Sequence, residues 1–207
     1  PGTEVHVIPN AIEWETWEPL YQELERKRRN PLRQFRKPRV GWVGAMQHRG
    51  DLELLIPVIE ATKDEVHWVF MGMWLPEFEH LVPEKHGWVD FNDYPKKMAE
   101  LDLDLALAPL EYNEFNVAKS NLRIIEYGAL GYPVIATDIT PYQKNNPPIT
   151  LLPNKPNQWI EKILYIALSK DFPEFKGINE WVRMNYTLDK TKKEWNEIFC
   201  NTQGQDK

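Results

Sequence analysis

At 207 residues, 42% hydrophobic and 27% charged, the chain has a globular balance and the length for one large domain or two small ones, which excludes a disordered or membrane-embedded class. Its net charge of −6 argues against nucleic acid as a partner, because phosphate binding needs a basic face. No apolar stretch approaches the ~18 residues that span a bilayer, the opening PGTEVHVIPN does not read as a signal peptide, and the single cysteine, Cys200, has no internal disulfide partner, so a reducing cytoplasm is the expected home.

In chain order, the first strand candidate is VHVI (5–8). The run RKRRNPLRQFRKPR (26–39) is strongly basic against an otherwise acidic chain. Read plainly it is a solvated helix end and loop; read sharply it is a patch for anionic lipid headgroups, hence peripheral membrane contact, or for a phosphorylated acceptor. Strand candidates follow at 39–44, 66–72, 87–91, 103–110, 133–137 and 149–152, with helices between them at 51–62, 76–81, 94–101, 120–130 and 156–169. Beyond residue 170 the pattern turns helical over 174–186 and 187–200, and the polar tail 201–207 is expected to fray. Strand and helix alternating at this spacing specify βαβ units, so the expected fold is α/β, a doubly wound, Rossmann-like parallel sheet with C-terminal helices. The expected division is a leading segment and basic linker (1–38), a ligand-binding domain (39–170) and C-terminal helices (171–207). Trp42, Trp68 and Trp88 lie in or beside strand candidates and are expected to fill the core.

Ligands of such sheets bind beyond the carboxyl ends of the strands, near the point where strand order reverses. The first candidate site is the loop after 39–44, with His48 and Arg49 before a helix that Asp51 can cap. A helix start there suits phosphate, with Arg49 adding charge, although the glycines do not spell G-x-G-x-x-G; the alternative is an ordinary loop. The second is AKSNLRIIEY (118–127). A diphosphate can rest on the N–H groups of Asn121 and Leu122, with Ser120 as hydroxyl donor and Lys119 as counter-charge. Glu126 lies six residues beyond Ser120, ~9 Å along a helix axis, and a carboxylate at that reach can clasp a ribose. The alternative is a surface charge ladder of Lys119, Arg123 and Glu126. Thr137 and Asp138, at the end of 133–137, either line a base or sugar pocket or form a turn. Asp102 and Asp104 resemble a metal-binding D-x-D, but they sit at the amino end of their strand, opposite the ligand edge. No zinc spacing and no G-x-S-x-G elbow is present, so neither metal nor cofactor is expected.

The segments VHVIPNAIE, VGWVGAMQHRGDLELL, VFMG, AKSNLRIIEYGALGYPVIAT and NYTLDKTKKEWNEIF stand in the order found in nucleotide-sugar glycosyltransferases of the GT-B fold. The chain resembles the carboxyl-terminal, donor-binding half of family 4-like, "group 1" enzymes. That resemblance implies a nucleoside-diphosphate sugar as donor, an acceptor that is a carbohydrate, lipid or protein, and a preceding acceptor-binding domain. It further implies transfer with retention, in a fragment that binds nucleotide but transfers sugar poorly alone. The family's motif is a spaced pair of glutamates, the second binding ribose; Glu126 matches the second, whereas Ala118 stands where the first would be, with Asn116 or Glu114 as substitutes. Arg49 and Lys119 resemble the cations that stabilise the leaving diphosphate in place of a metal ion. The A-K-S-N-L-R-x-x-E-Y form resembles a subgroup found in polysaccharide or protein-modification clusters. The rival readings are a sugar-nucleotide epimerase and a non-catalytic nucleotide-binding module of the same fold.

Overall fold

Along the central strands, side chains alternate between two separate hydrophobic cores. A computed structural model describes residues 5–45, 48–169 and 177–202; residues 46–47 of the first candidate loop, the start of the 174–186 helix and the tail 203–207 lie outside the described residues. The first half runs α1 (Trp14–Arg28), β1 (Arg39–Gly44), α2 (Arg49–Glu53), α3 (Leu55–Thr62), β2 (His67–Gly72), β3 (Glu84–His86) and α4 (Tyr94–Glu100). The second runs β4 (Leu105–Ala108), α5 (Glu114–Val117), α6 (Leu122–Ala129), β5 (Val134–Thr137), α7 (Thr140–Gln143), β6 (Thr150–Leu152), α8 (Pro156–Ser169), α9 (Ile178–Asn185) and α10 (Leu188–Thr202). The strands pair in parallel in the order β3-β2-β1-β4-β5-β6, the doubly wound arrangement expected, with the reversal of strand order between β1 and β4.

Val40, Trp42, Trp68, Phe70, Leu105, Leu107 and Ile135 point to the face covered by α3 and α8. Val43, Val69, Met71, Ala106, Ala108, Val134 and Ala136 point to the other, covered by α1, α4, α6 and α9. This period-2 split of nearly continuous apolar strands is what burial on both sides requires. Helix α6 ends in a Schellman motif: Tyr132 N–H donates to Tyr127 O (3.0 Å) and Gly131 N–H to Gly128 O (2.9 Å), with Gly131 at φ +64°. The expected helix 51–62 is instead two, because Pro57 has no N–H for the Glu53 carbonyl and its ring crowds that turn.

Three of the expected elements and one core residue are corrected. VHVI (5–8) is no strand; Val5 and Val7 are exposed. The edge strand is Glu84–His86, not 87–91, and Trp88 is 75% exposed rather than core; Trp42 and Trp68 are buried, joined by Trp159. Within 76–81 only Glu79–Leu81 is helical, as a 3-10 turn. The leading segment and linker hold a helix, α1, packed on α4 and α6 through Trp17 and Leu24.

The basic run is largely consumed by internal ion pairs. Arg33 bridges Asp102 and Asp104, Arg36 pairs with both, and Arg39 pairs with Glu84. Arg28 pairs with Glu25 and donates to Leu130 O. The D-x-D pair is therefore an arginine anchor at the amino end of β4. Among the described residues no helix is long and apolar enough to cross a membrane.

Candidate functional site

The carboxyl ends of β1 and β4, where strand order reverses, open on a cavity of about 330 Å³. Gly44 ends β1 at its rim, Gly72 ends β2, and Leu110 follows β4; α6 supplies the facing wall with Leu122, Arg123 and Glu126, preceded by Lys119 and Ser120. Trp88, Val89, Tyr94 and Tyr142 complete the lining. Within the segment 87–91, apolar enough to read as a strand, Trp88 and Val89 thus form part of the cavity wall.

Two glycines permit this approach. A Cβ on Gly72, which has φ +95°, would lie 2.2 Å from Gly44 O, and a Cβ on Gly44 would lie 2.4 Å from the Trp42 ring and 2.8 Å from an Arg123 nitrogen. Through the gap at Gly44, Arg123 on α6 reaches over the end of β1 and stacks on Trp42, 5.0 Å from the ring centroid. Its Nη2 donates to His48 Nε2 at 3.2 Å.

The sequence candidates separate into two groups. His48, Lys119, Ser120, Leu122 and Glu126 all line the cavity. Lys119 holds its ammonium over Phe115, 5.0 Å from the centroid. Ser120 Oγ accepts from Asn10 (2.8 Å) and from Leu122 N–H (3.4 Å), which leaves its own hydrogen free to donate. Arg49, Asn116 and Asn121 do not line the cavity. Arg49 pairs with Glu77 and Glu53 on the surface. Asn121, the N-cap of α6, is buried and donates to Tyr186 Oη (2.8 Å). Asn116 is buried and donates to Glu111 O (2.7 Å) and Asp51 Oδ1 (3.3 Å). Asp51 does not cap: α2 begins at Arg49, and the Asp51 carboxylate turns inward. Thr137 ties β4 to the loop after β6, accepting from Leu110 N–H and donating to Asn154, while Asp138 accepts from Gln143; both are structural.

Glu126 sits on the cavity wall and accepts from Tyr94 Oη at 3.0 Å. Burial pushes its carboxyl up to about 7, against the opposing pull of Arg123 and the Tyr94 hydrogen bond. Burial, and next the Glu126 charge, raise the Tyr94 phenol well above its ordinary value, so it stays a donor. Burial alone would also raise Asp51, but the His48 hydrogen bond and the Glu111 N–H hold it below the usual aspartate value. Sequence reasoning missed Tyr94 and Trp88 as wall residues and Arg123 as the cavity's second cation; the spacing of Arg123 to Glu126 is the one signal that was there, a shared helix face. Among the described residues no group of three or more His, Cys, Asp or Glu could hold a metal ion.

The family model for "Glycosyl transferases group 1" matches residues 37–168, more than half of the chain. No curated protein matches. Among solved structures the chain is similar to a glycosyltransferase from Rickettsia africae ESF-5, with TM-score 0.69 and 16% identity over 97% of this chain and 58% of that one. It is similar to Anabaena Alr3699/HepE in complex with UDP and glucose, with TM-score 0.66 and 13% identity over 94% of this chain and 56% of that one. It is also similar to the alpha,alpha-trehalose 6-phosphate synthase of Burkholderia multivorans, with TM-score 0.63 and 13% identity over 99% of this chain and 52% of that one. The chain thus spans little more than half the length of these proteins, and at such identities the likeness establishes the fold.

Proposed function

Because the chain belongs to the glycosyl transferases group 1 family, we propose that it binds a nucleoside-diphosphate sugar in the cavity beyond β1 and β4. In this reading it is the donor-binding half of an enzyme that passes the sugar to an acceptor with retention. The observation that carries the reading is Glu126: a carboxylate on a cavity wall, at the strand-order reversal, with Lys119, Ser120 and Arg123 on the same wall. Its two oxygens suit the paired hydroxyls of a ribose, and the cations and hydroxyl suit a diphosphate. The UDP and glucose bound by the Anabaena protein support this donor class.

As the bond between the sugar's anomeric carbon and the phosphate oxygen breaks, the electron pair goes to the diphosphate. Lys119, Arg123 and the Ser120 hydroxyl then meet a charge that grows along the reaction, which lowers the barrier without a metal ion. Arg49 joins this set only by leaving Glu77. Trp88, exposed at the rim, offers its face to the base. The acceptor site belongs to a part of the protein outside these residues, so the 207-residue chain binds nucleotide but does not turn over.

Calorimetric titration with UDP, GDP, CDP and ADP tests the proposal. At least one binds, and Glu126→Ala weakens it about tenfold or more, the loss of hydrogen bonds to a charged acceptor. A chain that binds none is a module without a donor site, and a Glu126→Ala variant with parental affinity removes the ribose assignment.

A further inference from the structure

Asp51 is buried at 4% exposure on α2, outside the cavity, yet every polar contact it makes leads towards the cavity or the loop beside it. Its Oδ1 accepts from Glu111 N–H (2.7 Å) and Asn116 Nδ2 (3.3 Å), both in the segment between β4 and α6. Its Oδ2 meets His48 Nδ1 at 2.5 Å. The other imidazole nitrogen, Nε2, takes the Arg123 guanidinium at 3.2 Å. A guanidinium has only donors and an ionised carboxylate only acceptors. One state of the ring satisfies both neighbours: neutral, with its hydrogen on Nδ1. Trp42, edge-on to His48 at 6.0 Å and stacked under Arg123, confines the two from a third side.

We propose that Asp51 is a positioning residue that fixes His48 as the Nδ1–H tautomer, so that His48 Nε2 aims Arg123 at the diphosphate of the donor. This rests on the donor-site reading above. Residues from three separate segments, the β1–α2 loop, the β4–α5 loop and α6, are joined by this one carboxylate. The state of the loops around the cavity is therefore read out at a single cation.

The isosteric variant Asp51→Asn has a defined consequence. Glu111 N–H and Asn116 Nδ2 both require an acceptor, so the amide oxygen stays on their side and the amide NH₂ faces His48 Nδ1. That nitrogen must then accept, the ring hydrogen moves to Nε2, and it confronts the N–H groups of Arg123. The same geometry principle makes the carboxylate partner of an imidazole decide its tautomer elsewhere.

Long-range ¹H–¹⁵N correlation spectra of the ligand-free chain give the first test. His48 is expected to carry its hydrogen on Nδ1 in the parent and on Nε2 in Asp51→Asn; a parent with Nε2–H overturns the relay, and this measurement needs no variant to fold. The second test is UDP titration of Asp51→Asn, His48→Phe and the double variant. Each single change is expected to weaken UDP about tenfold, and the double variant no further, because Asp51 acts through His48. Additive losses, or parental affinity in Asp51→Asn, overturn the proposal. A parent that binds no UDP or other nucleoside diphosphate sinks the donor-site reading, while the tautomer inversion still decides whether Asp51 sets His48.

Discussion

Tyr94 and Glu126 meet across the cavity, the phenol donating to the carboxylate at 3.0 Å. Burial holds that carboxyl at about 7, against an ordinary value of 4.5. Between those values the folded chain keeps a proton the unfolded chain has lost, so stability falls as pH rises through the window. The cost reaches at most about 3–4 kcal/mol at ~1.4 kcal/mol per pKa unit, less where water enters the open cavity. Glu126→Gln removes this penalty. It is expected to melt several degrees above the parent at pH 8 and level with it at pH 4, measured by calorimetry without ligand. Equal melting at pH 8 means that burial does not raise the value of this carboxyl in the fold.

The same proton links binding to pH. A ribose held by the ionised carboxylate requires Glu126 to lose it, so UDP affinity of the parent rises about tenfold from pH 6 to pH 8, the change in ionised fraction around a value near 7. Glu126→Gln binds more weakly and shows only the pH dependence of the UDP phosphates. Matching profiles for the two proteins would separate ribose binding from this carboxylate.

Trp88 offers a contrast between stability and binding. It is 75% exposed and lines the cavity, so Trp88→Ala leaves the unfolding free energy within about 0.5 kcal/mol. Loss of a base-stacking face weakens UDP by about fivefold or more. Parental UDP affinity in Trp88→Ala places the base elsewhere.

The strands β1, β2, β4 and β5 are legible in the sequence because strands buried on both faces are continuous apolar runs. Edge strand β3, Glu84-Lys85-His86, carries no such signal: it pairs with β2 through its backbone, and Glu84 is held by Arg39, His67 and His86. In the neighbouring apolar segment 87–91, Trp88 and Val89 line the cavity instead of pairing in the sheet, which is why it misled. Helix α1 is masked by Pro19 in its interior, although Trp14, Trp17, Leu20 and Leu24 keep a helical spacing. Glu126 and Ser120 both line the cavity as their offset suggested, although α6 begins at Leu122 and Ser120 lies just before it. The roles of Asp51, His48 and Arg123 depend on three segments meeting in space, and no local spacing encodes that.

Gly44 is where fold and site share one atom's worth of room. A methyl group there meets the Trp42 ring at 2.4 Å and Arg123 at 2.8 Å. Gly44→Ala is therefore expected to cost about 1–3 kcal/mol by overpacking and to displace Arg123 from Trp42. The check is urea unfolding beside UDP titration of the folded variant, with affinity lowered at least fivefold in protein that is still fully folded. Unchanged affinity would mean that the stack on Trp42 does not place Arg123.

The anchor at the other end of the sheet gives the opposite signature. Asp104 accepts from Arg33, from Arg36 at 3.1 Å and from Arg39 N–H at 2.8 Å, and it is buried. Asp104→Ala leaves both guanidinium groups to Asp102 alone and the Arg39 N–H without its acceptor in a place water reaches poorly, at a cost of about 3–5 kcal/mol in urea unfolding. Asp102→Ala, at a side chain 29% exposed, costs about 1 kcal/mol or less. Both variants keep parental UDP affinity while folded, because these aspartates hold the basic run against the amino ends of the strands, the far side of the sheet from the cavity. A Mg²⁺- or Mn²⁺-dependent loss of UDP binding in Asp102→Ala would return the pair to a ligand role, and a stability loss below about 1 kcal/mol in Asp104→Ala would remove it as the anchor.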